Sequence, residues 1–429
     1  MIVEILILVV SFLILLSIGV PVAWSIGISC VLTLLASLDS MAAFTTVAQR
    51  MATGLDSFSL LAIPFFILAG QIMNQGGIAT RLINFAKSLI GGLPGGLIYV
   101  NVIAAMLFGA ISGSAVAAAS AIGGILGPRM EEENYSKEFG AAINVTASTT
   151  GLVIPPSNVL IVYSLASGGV SIAALFLAGY IPGILMGLAL MLTAAFWIKK
   201  KKYPAGEKSS LKTVAWSFLD ALPSLFLLVV VIGGIVSGIF TATEASAIAV
   251  LYTFVLALIY KELSRKKLYH IFLSSVGTTA IVMLLIATSM SMSWVMSFEN
   301  IPQSVSEVLL GLSDNKFVIL LIINLLLLFV GTFMDMTPAI LIFTPIFLPV
   351  MQSLGVDPVH FGIIMVMNLC VGLCTPPVGS VLFIGVSVAK TTIQKVIKPL
   401  LPLYVVMAIV LLLVTFIPEI STWLPSLFE

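Results

Sequence analysis

The chain has 429 residues, of which 60% are hydrophobic and only 9% are charged. Soluble proteins carry about 25% charged residues, so this composition excludes an ordinary soluble enzyme and predicts an all-α integral membrane protein in a lipid bilayer. The formal net charge of +1 gives no footprint for nucleic-acid binding, and no nucleic-acid partner is expected.

Runs without charged residues predict ten membrane spans, because a helical span needs about 20 apolar residues. In chain order they lie near residues 3–19, 20–40, 57–80, 137–165, 170–198, 222–240, 241–260, 270–297, 357–388 and 395–425. The first span is expected to begin at the N-terminus, which lacks the basic region of a cleaved signal peptide. Two further apolar segments, 91–128 and 317–352, contain small or polar residues near their middle.

The basic residues set the predicted orientation, since Lys and Arg concentrate on the cytoplasmic side of membrane proteins. Three basic clusters, 199–212, 261–267 and 390–398, are therefore placed in the cytoplasm, and both chain termini in the periplasm. Of the 19 Lys and Arg residues, only Arg50 and Lys316 then lie outside. This threading requires the two further segments to be re-entrant hairpins, although two full crossings in each place would leave a similar charge pattern.

An internal repeat relates the two halves of the chain at an offset of 221 residues. The stretch TTGLVIPPSNVLIVYS (149–164) aligns with CVGLCTPPVGSVLFIG (370–385), and both contain Gly-Leu followed by Pro-Pro. Residues 1–212 would form the first repeat and 213–429 the second, each with about five transmembrane helices and one re-entrant hairpin. Because five is odd, the repeats would be inverted, which is an architecture of secondary transporters.

The first hairpin has a polar centre, Ser112-Gly113-Ser114, in a segment without charge. Ser and Gly are poor formers of a helix interior, so these residues are predicted to form the hairpin tip. Hydroxyl and free carbonyl oxygens there would be ligands for a hard cation such as Na⁺, and half-helix N-termini would attract an anionic substrate. The alternative is a small-residue patch that only lets membrane helices approach closely.

Asp335 holds the equivalent position in the second hairpin, opposite Ser114, and is the only charged residue between positions 317 and 356. A carboxylate at membrane depth is costly, which makes it a candidate for a functional site. It could ligate Na⁺, or it could cap the helix that starts near Thr337. The two roles are compatible.

The Pro-Pro pairs predict breaks in the spans near 137–165 and 357–388, because proline removes a backbone donor and frees carbonyl groups one turn earlier. Small and hydroxyl-bearing residues beside these breaks are expected to face the hairpin tips: Thr149, Thr150, Gly151, Gly372 and Thr375. Ser157 and Asn158 would offer polar groups to a substrate. A simple kink is the alternative, which is weakened because both halves repeat the feature.

These motifs resemble those of the large membrane subunit, the DctM-like component, of tripartite ATP-independent periplasmic (TRAP) transporters. The resemblance covers essentially the whole chain and is carried by SGSAVAAASAIGGILGP, GTFMDMTPAILIFTPIFLP, GLVIPPSN and GLCTPPVGS. The layout is also similar to that of divalent-anion/sodium symporters, although Asp335 departs from their Ser-Asn-type tip. The two tips of this chain are therefore not chemically equivalent.

The resemblance implies an elevator-type transporter of the bacterial inner membrane, coupled to two or more Na⁺ ions. It also implies a small four-span membrane subunit, a soluble periplasmic binding protein and an organic-acid substrate. By matching motifs, one Na⁺ site would comprise Ser112, Gly113, Ser114, Thr149, Thr150, Gly151 and Pro155. The other would comprise Gly331, Thr332, Asp335, Gly372, Thr375 and Pro376. The substrate would contact Ser114, Ser157, Asn158, Asp335 and Thr337.

We therefore expect the permease subunit of a Na⁺-coupled, binding-protein-dependent importer, with sialic acid as the first candidate substrate and a C4-dicarboxylate as the second. The hairpins would move against a scaffold of spans near 3–40 and 222–260. A stand-alone symporter that needs no binding protein is the main alternative. A channel is disfavoured, because an inverted repeat with closed hairpins favours alternating access.

No enzyme activity is expected. A serine protease would pair Ser112 or Ser114 with His360, which nothing in the sequence orients, and an aspartyl protease needs a second carboxylate beside Asp335. Both histidines, His270 and His360, are predicted to be structural. Three cysteines lie in apolar segments and are predicted to be buried free thiols: Cys30, Cys370 and Cys374.

Overall fold

A computed structural model describes residues 2–201, 203, 205–206, 209–313 and 315–428 of the chain. These residues form helices and connecting turns, and the only β-type pairing among them is an isolated bridge between Pro94 and Ala205. Eight helical segments in the described part are long and apolar enough to cross a membrane. The predicted all-α membrane architecture is therefore confirmed.

The two halves of the chain have matching helices. The first half contains α1 (Ile2–Ser17), α2 (Val22–Ser37), α3 (Ser40–Leu55), a short 3₁₀ turn (Phe58–Leu61), α4 (Ala62–Gln75), α5 (Ile78–Ile90), α6 (Gly96–Ser112), α7 (Ala115–Glu132), α8 (Lys137–Thr150), α9 (Asn158–Ala166) and α10 (Ile172–Lys201). The second half contains α11 (Leu211–Val236), α12 (Ala242–Ile259), α13 (Arg265–Phe298), α14 (Ile301–Leu312), α15 (Lys316–Phe333), α16 (Met336–Ser353), α17 (Pro358–Leu373), α18 (Ser380–Val388), α19 (Ile393–Phe416) and α20 (Glu419–Thr422), before a last 3₁₀ turn (Pro425–Leu427). At the offset of 221 residues, both ends of α7 coincide with those of α16.

The helices differ from the predicted spans in three places. Helices α3, α5 and α14 were not predicted, because each has only 12 to 16 residues of mixed polarity and so lacks the long apolar run that marks a span. Helix α11 begins at Leu211, well before the predicted start near 222. Within the predicted basic loop, Lys202, Pro204, Glu207 and Lys208 lie outside the described residues.

In each half, paired glycines bring the first hairpin helix into backbone contact with the helix that is broken at Pro-Pro. A Cβ atom placed on Gly151 would lie 2.4 Å from the Cα of Gly109, in α6. In the second half, a Cβ on Gly372 would lie 2.5 Å from the Cα of Gly331, in α15. Both distances are far inside van der Waals contact, so only glycine fits at positions 151 and 372.

The two halves interlock around these contacts. Helix α9 of the first half packs against α16 of the second, while α18 of the second half packs against α7 of the first. Equivalent positions meet at Thr149 and Cys370, where the Cys370 thiol donates to the Thr149 carbonyl over 3.3 Å. Equivalent residues of two copies touch only near a two-fold axis, and this contact therefore places such an axis between α8 and α17.

The cysteines and His360 have the environments that the sequence predicted. Cys30, Cys370 and Cys374 are free and buried. His360 is 2% exposed, and its Nδ1 lies 2.7 Å from the hydroxyl of Ser421, near the end of the chain. These contacts join α17 to α20 and give His360 a structural environment.

Replacing Gly151 or Gly372 with alanine is expected to destabilise the protein by about 1–3 kcal/mol, the usual cost of overpacking. The measurement is the thermal midpoint of the purified chain in detergent. Gly277→Ala in α13 is the matched control, because a Cβ there meets nothing within 4 Å and alanine favours a helix interior. Equal midpoints for all three variants would contradict the close glycine contacts.

Candidate functional site

The tip of the first hairpin is a tight turn at Gly113 and Ser114. Gly113 has a φ of +62° and ends α6 by donating its N–H to the Gly109 carbonyl over 2.9 Å. The Ser114 hydroxyl caps α7 by accepting the N–H of Ala117 over 3.2 Å. A Cβ on Gly113 would lie 2.7 Å from the side-chain nitrogen of Asn158, so this turn lies directly on the start of α9.

The tip of the second hairpin has different chemistry. Helix α15 ends at Phe333, and Met334 is extended with a φ of −120°. Asp335 caps α16, since its Oδ1 accepts the N–H of Met336 over 2.9 Å. The structure thus shows the capping role that the sequence suggested for Asp335, and this hydrogen bond uses one of the two carboxylate oxygens.

Both Pro-Pro stretches break their helices, and side chains bond some of the freed carbonyl groups. The Ser157 hydroxyl donates to the Leu152 carbonyl over 2.5 Å within the first break. In the second break, the Tyr404 hydroxyl from α19 donates to the Cys374 carbonyl. Each break contains a cis bond, Pro155–Pro156 in the first half and Pro376–Pro377 in the second.

The residues predicted for the first Na⁺ site lie together where hairpin 1 meets the first break. The hydroxyls of Thr149 and Thr150 donate to helix carbonyls over 2.9 and 2.6 Å. The Ser112 hydroxyl reaches the Ser114 carbonyl over 3.4 Å. A hydroxyl that donates its proton keeps lone pairs on oxygen, so these groups still fit a hard cation.

The second predicted site has the same arrangement. The hydroxyls of Thr332 and Thr375 donate to the carbonyls one turn earlier in their helices, each over 2.7 Å. Gly331 and Gly372 hold the hairpin and the break in backbone contact. The side chain of Asp335 is exposed at the adjacent tip, so its unused oxygen is the one anionic group that this site offers.

A cavity of about 460 Å³ lies between the first hairpin tip and helices α4, α9 and α13. Its apolar lining comes mainly from Ile63, Ile67, Val159, Val162 and Val282. Its polar lining residues are Gln71, Asn74, Ser112, Ser114, Ser120, Asn158, Thr278 and Thr337. No charged side chain belongs to its described lining.

Three of the five predicted substrate residues line this cavity: Ser114, Asn158 and Thr337. Ser157 is fully buried under the break, and Asp335 lies outside the lining. Sequence reasoning missed Gln71 and Asn74, although two polar residues three positions apart on one face of an apolar helix were a usable signal. Thr278 had no such signal, because it lies in a Thr-Thr pair on a long apolar helix.

Three helix N-termini reach the cavity and supply positive potential without any cationic side chain. Ser114 precedes α7, Asn158 begins α9, and Thr337 is the second residue of α16. The first N–H groups of a helix have no partner inside the helix, and its dipole is positive at that end. The cavity is therefore suited to an anionic group.

The family of the chain follows from its sequence match to known proteins. Residues 9–420 match the family described as "Tripartite ATP-independent periplasmic transporter, DctM component". The chain belongs to this family. It is therefore a large permease subunit of a TRAP transporter for organic acids, in a family of transporters and not of enzymes. A tripartite transporter implies two further components, a small membrane subunit and a periplasmic binding protein.

Several curated relatives are similar over nearly the whole chain. The protein named YgiK from Salmonella typhimurium is 57% identical over 418 residues, which cover 97% of this chain and 96% of that protein. The C4-dicarboxylate TRAP transporter large permease protein DctM from Rhodobacter capsulatus is 39% identical, covering 95% and 96%. The sialic acid TRAP transporter large permease protein SiaM from Vibrio cholerae is also 39% identical, covering 96% of each chain.

The fold also has a counterpart among solved structures. The crystal structure of the Alcanivorax borkumensis YdaH transporter superposes with a TM-score of 0.66 and covers 88% of each chain. The two sequences are 13% identical. This likeness concerns the fold alone, and it agrees with an all-α membrane transporter.

Thr278→Val is expected to raise the apparent KM for the transported acid by about 2- to 10-fold, the usual worth of one hydrogen bond. The change removes a hydroxyl from the cavity and keeps the shape of the side chain. Thr279→Val is the matched control, because the neighbouring Thr279 does not line the cavity. Equal KM values for both variants in an uptake assay would show that Thr278 does not contact the substrate.

Proposed function

We propose that this chain is the permease subunit of a Na⁺-coupled, binding-protein-dependent secondary importer, with sialic acid as the first candidate substrate and a C4-dicarboxylate as the second. The observation that carries the proposal is the tip cavity, which combines three helix N-termini, hydroxyls and amides without a charged side chain. Such a lining suits a polyhydroxylated or dicarboxylate anion. Relatives named for the two acids have equal identity to this chain, which leaves the choice to experiment.

Na⁺ coupling is supported by the two oxygen-rich contacts between hairpins and breaks. Each contact joins hydroxyl groups, backbone next to Pro-Pro and a pair of glycines. In the proposed cycle Na⁺ binds first and orders the tips, and the substrate then binds between them. The hairpins move as an elevator against a scaffold formed by spans near 3–40 and 222–260.

The proposed setting is the bacterial inner membrane, with both termini in the periplasm. The small subunit would contribute four spans and cover part of the apolar surface. Large exposed side chains on α1 and α11, among them Leu6, Leu13, Trp216 and Phe226, provide such a surface. The periplasmic binding protein would deliver the acid to the cavity.

Uptake of radiolabelled sialic acid into proteoliposomes tests the proposal directly. The chain would be reconstituted with its small subunit, and the binding protein and an inward Na⁺ gradient would be omitted in turn. Uptake is expected only when both are present. Uptake without the binding protein would instead indicate a stand-alone symporter, and uptake that persists when K⁺ replaces Na⁺ would refute the coupling. If sialic acid is not taken up, a C4-dicarboxylate is tested in the same way.

Two substitutions of Asp335 separate its capping role from a ligand role. Asn caps a helix about as well as Asp, whereas Ala costs about 1 kcal/mol, so Asp335→Asn is expected to keep the thermal midpoint and Asp335→Ala to lower it. If the free carboxylate oxygen ligates Na⁺, both variants weaken the Na⁺ dependence of uptake by about tenfold or more, since both remove a charged ligand. Unchanged Na⁺ dependence in Asp335→Asn would leave Asp335 as a cap alone.

A further inference from the structure

A second cavity lies at the open end of the first hairpin, away from its tip. It has a volume of about 400 Å³ and is lined by parts of α6, α7, α8 and α18. Along α7, its first lining residue, Gly123, lies nine residues beyond Ser114, which is about 13 Å in a helix. It shares no lining residue with the tip cavity. We refer to it as the hairpin-base cavity.

Two buried asparagines line this cavity with unsatisfied oxygens. Asn101 in α6 is 1% exposed and Asn144 in α8 is 3% exposed. The side-chain oxygen of each has no hydrogen-bond partner among the described residues. Burying such an acceptor without a partner costs free energy, so unpaired acceptors beside a cavity indicate an unseen donor or a cation.

The amide of Asn144 has a fixed orientation. Its nitrogen donates to the Ala119 carbonyl in α7 over 2.8 Å, which leaves its oxygen as the free end. A Cβ on Gly123 would lie 2.5 Å from that same nitrogen. The hydrogen bond and the glycine together position the Asn144 side chain beside the cavity.

The charged residues of the cavity lie at its mouth and not at its inner end. Lys137 is paired with Glu131 over 2.7 Å, both side chains being substantially exposed, and Lys390 is exposed. Burial raises the pKa of Tyr135 to about 12, so this phenol is neutral at physiological pH. The asparagine oxygens are thus the polar groups at depth, and they are acceptors that suit a hard cation.

We propose that the hairpin-base cavity binds a small, partly hydrated monovalent cation through the side-chain oxygens of Asn101 and Asn144. Two neutral oxygens with water can hold an alkali ion, whereas a divalent ion prefers carboxylates, and the one lining carboxylate is paired with Lys137. The cavity would be a cation site on the far side of the hairpin from the predicted tip site. The cation is the coupling ion if the Na⁺ dependence proposed above is correct, but the site itself does not require it.

Cysteine labelling tests this proposal without any transport assay. Gly124→Cys places a thiol in the cavity, where an added Cβ meets nothing within 4 Å, and Gly311→Cys in α14 is an exposed control with the same free space. The full chain in detergent is treated with a cationic or an anionic methanethiosulfonate of similar size, in NaCl or in N-methylglucamine chloride. The wild-type chain, whose three cysteines are buried, gives the background.

At Gly124→Cys, normalised to the control, the cationic reagent is expected to react about tenfold faster than the anionic one, because the inner oxygens attract positive charge. Na⁺ is expected to slow this reaction. Faster labelling by the anionic reagent would indicate an anion site governed by Lys137 and Lys390. Absence of labelling, or labelling that Na⁺ does not slow, would also overturn the proposal.

A second substitution assigns the protection by Na⁺ to the asparagines. Asn101→Leu or Asn144→Leu, each combined with Gly124→Cys, is expected to abolish the protection while the thiol remains reactive. Asn101→Leu removes an oxygen that has no partner and serves if Asn144→Leu does not fold. Protection that survives in both would refute these ligands. Failure of Na⁺-driven uptake in proteoliposomes would bear on the proposed function and leave the labelling result unaffected.

Discussion

Close backbone contact between each hairpin and its broken helix is the constraint on which the rest of the structure depends. Irregular backbone at membrane depth is tolerated only where it is buried in protein or lines a wet cavity. Gly109 with Gly151, and Gly331 with Gly372, meet this requirement by removing the side chains that would hold the two elements apart. The freed carbonyl and hydroxyl groups of each break are then directed toward a hairpin and not toward lipid. Both the tip cavity and the predicted cation sites follow from this contact.

The same constraint explains how an anion can be bound without a cationic side chain. A buried Lys or Arg would carry a large desolvation cost inside the membrane. Helix N-termini supply positive potential from groups that are already part of the fold, and the breaks and tips place three of them at one cavity: those of α7, α9 and α16. Recognition by hydroxyls, amides and helix ends leaves substrate choice to the shape of the cavity. This agrees with relatives of equal identity that are named for different acids.

The two halves share a plan but use different chemistry at equivalent positions. Ser114 and Asp335 both cap the second helix of a hairpin, yet one is neutral and the other carries a carboxylate. The first tip turns at a glycine with positive φ, whereas the second turns through an extended methionine. Repetition of the fold therefore does not require repetition of the ligands. A backbone arrangement tolerates any residues that preserve the close contacts and the caps.

The sequence by itself determined the membrane class, the helical architecture, the buried thiols and the motif pattern of the family, because apolar length, charge distribution and Pro-Pro spacing are local properties. It did not reveal α3, α5 and α14, whose mixed polarity lacks the signal of a span. Only the tertiary structure decided that Gln71 and Thr278 face Asn158, that Ser157 bonds the Leu152 carbonyl instead of lining the cavity, and that Asn101 lies beside the same cavity as Asn144. These relations join residues far apart in the chain. They depend on which helix faces pack together, and one-dimensional periodicity does not encode that packing.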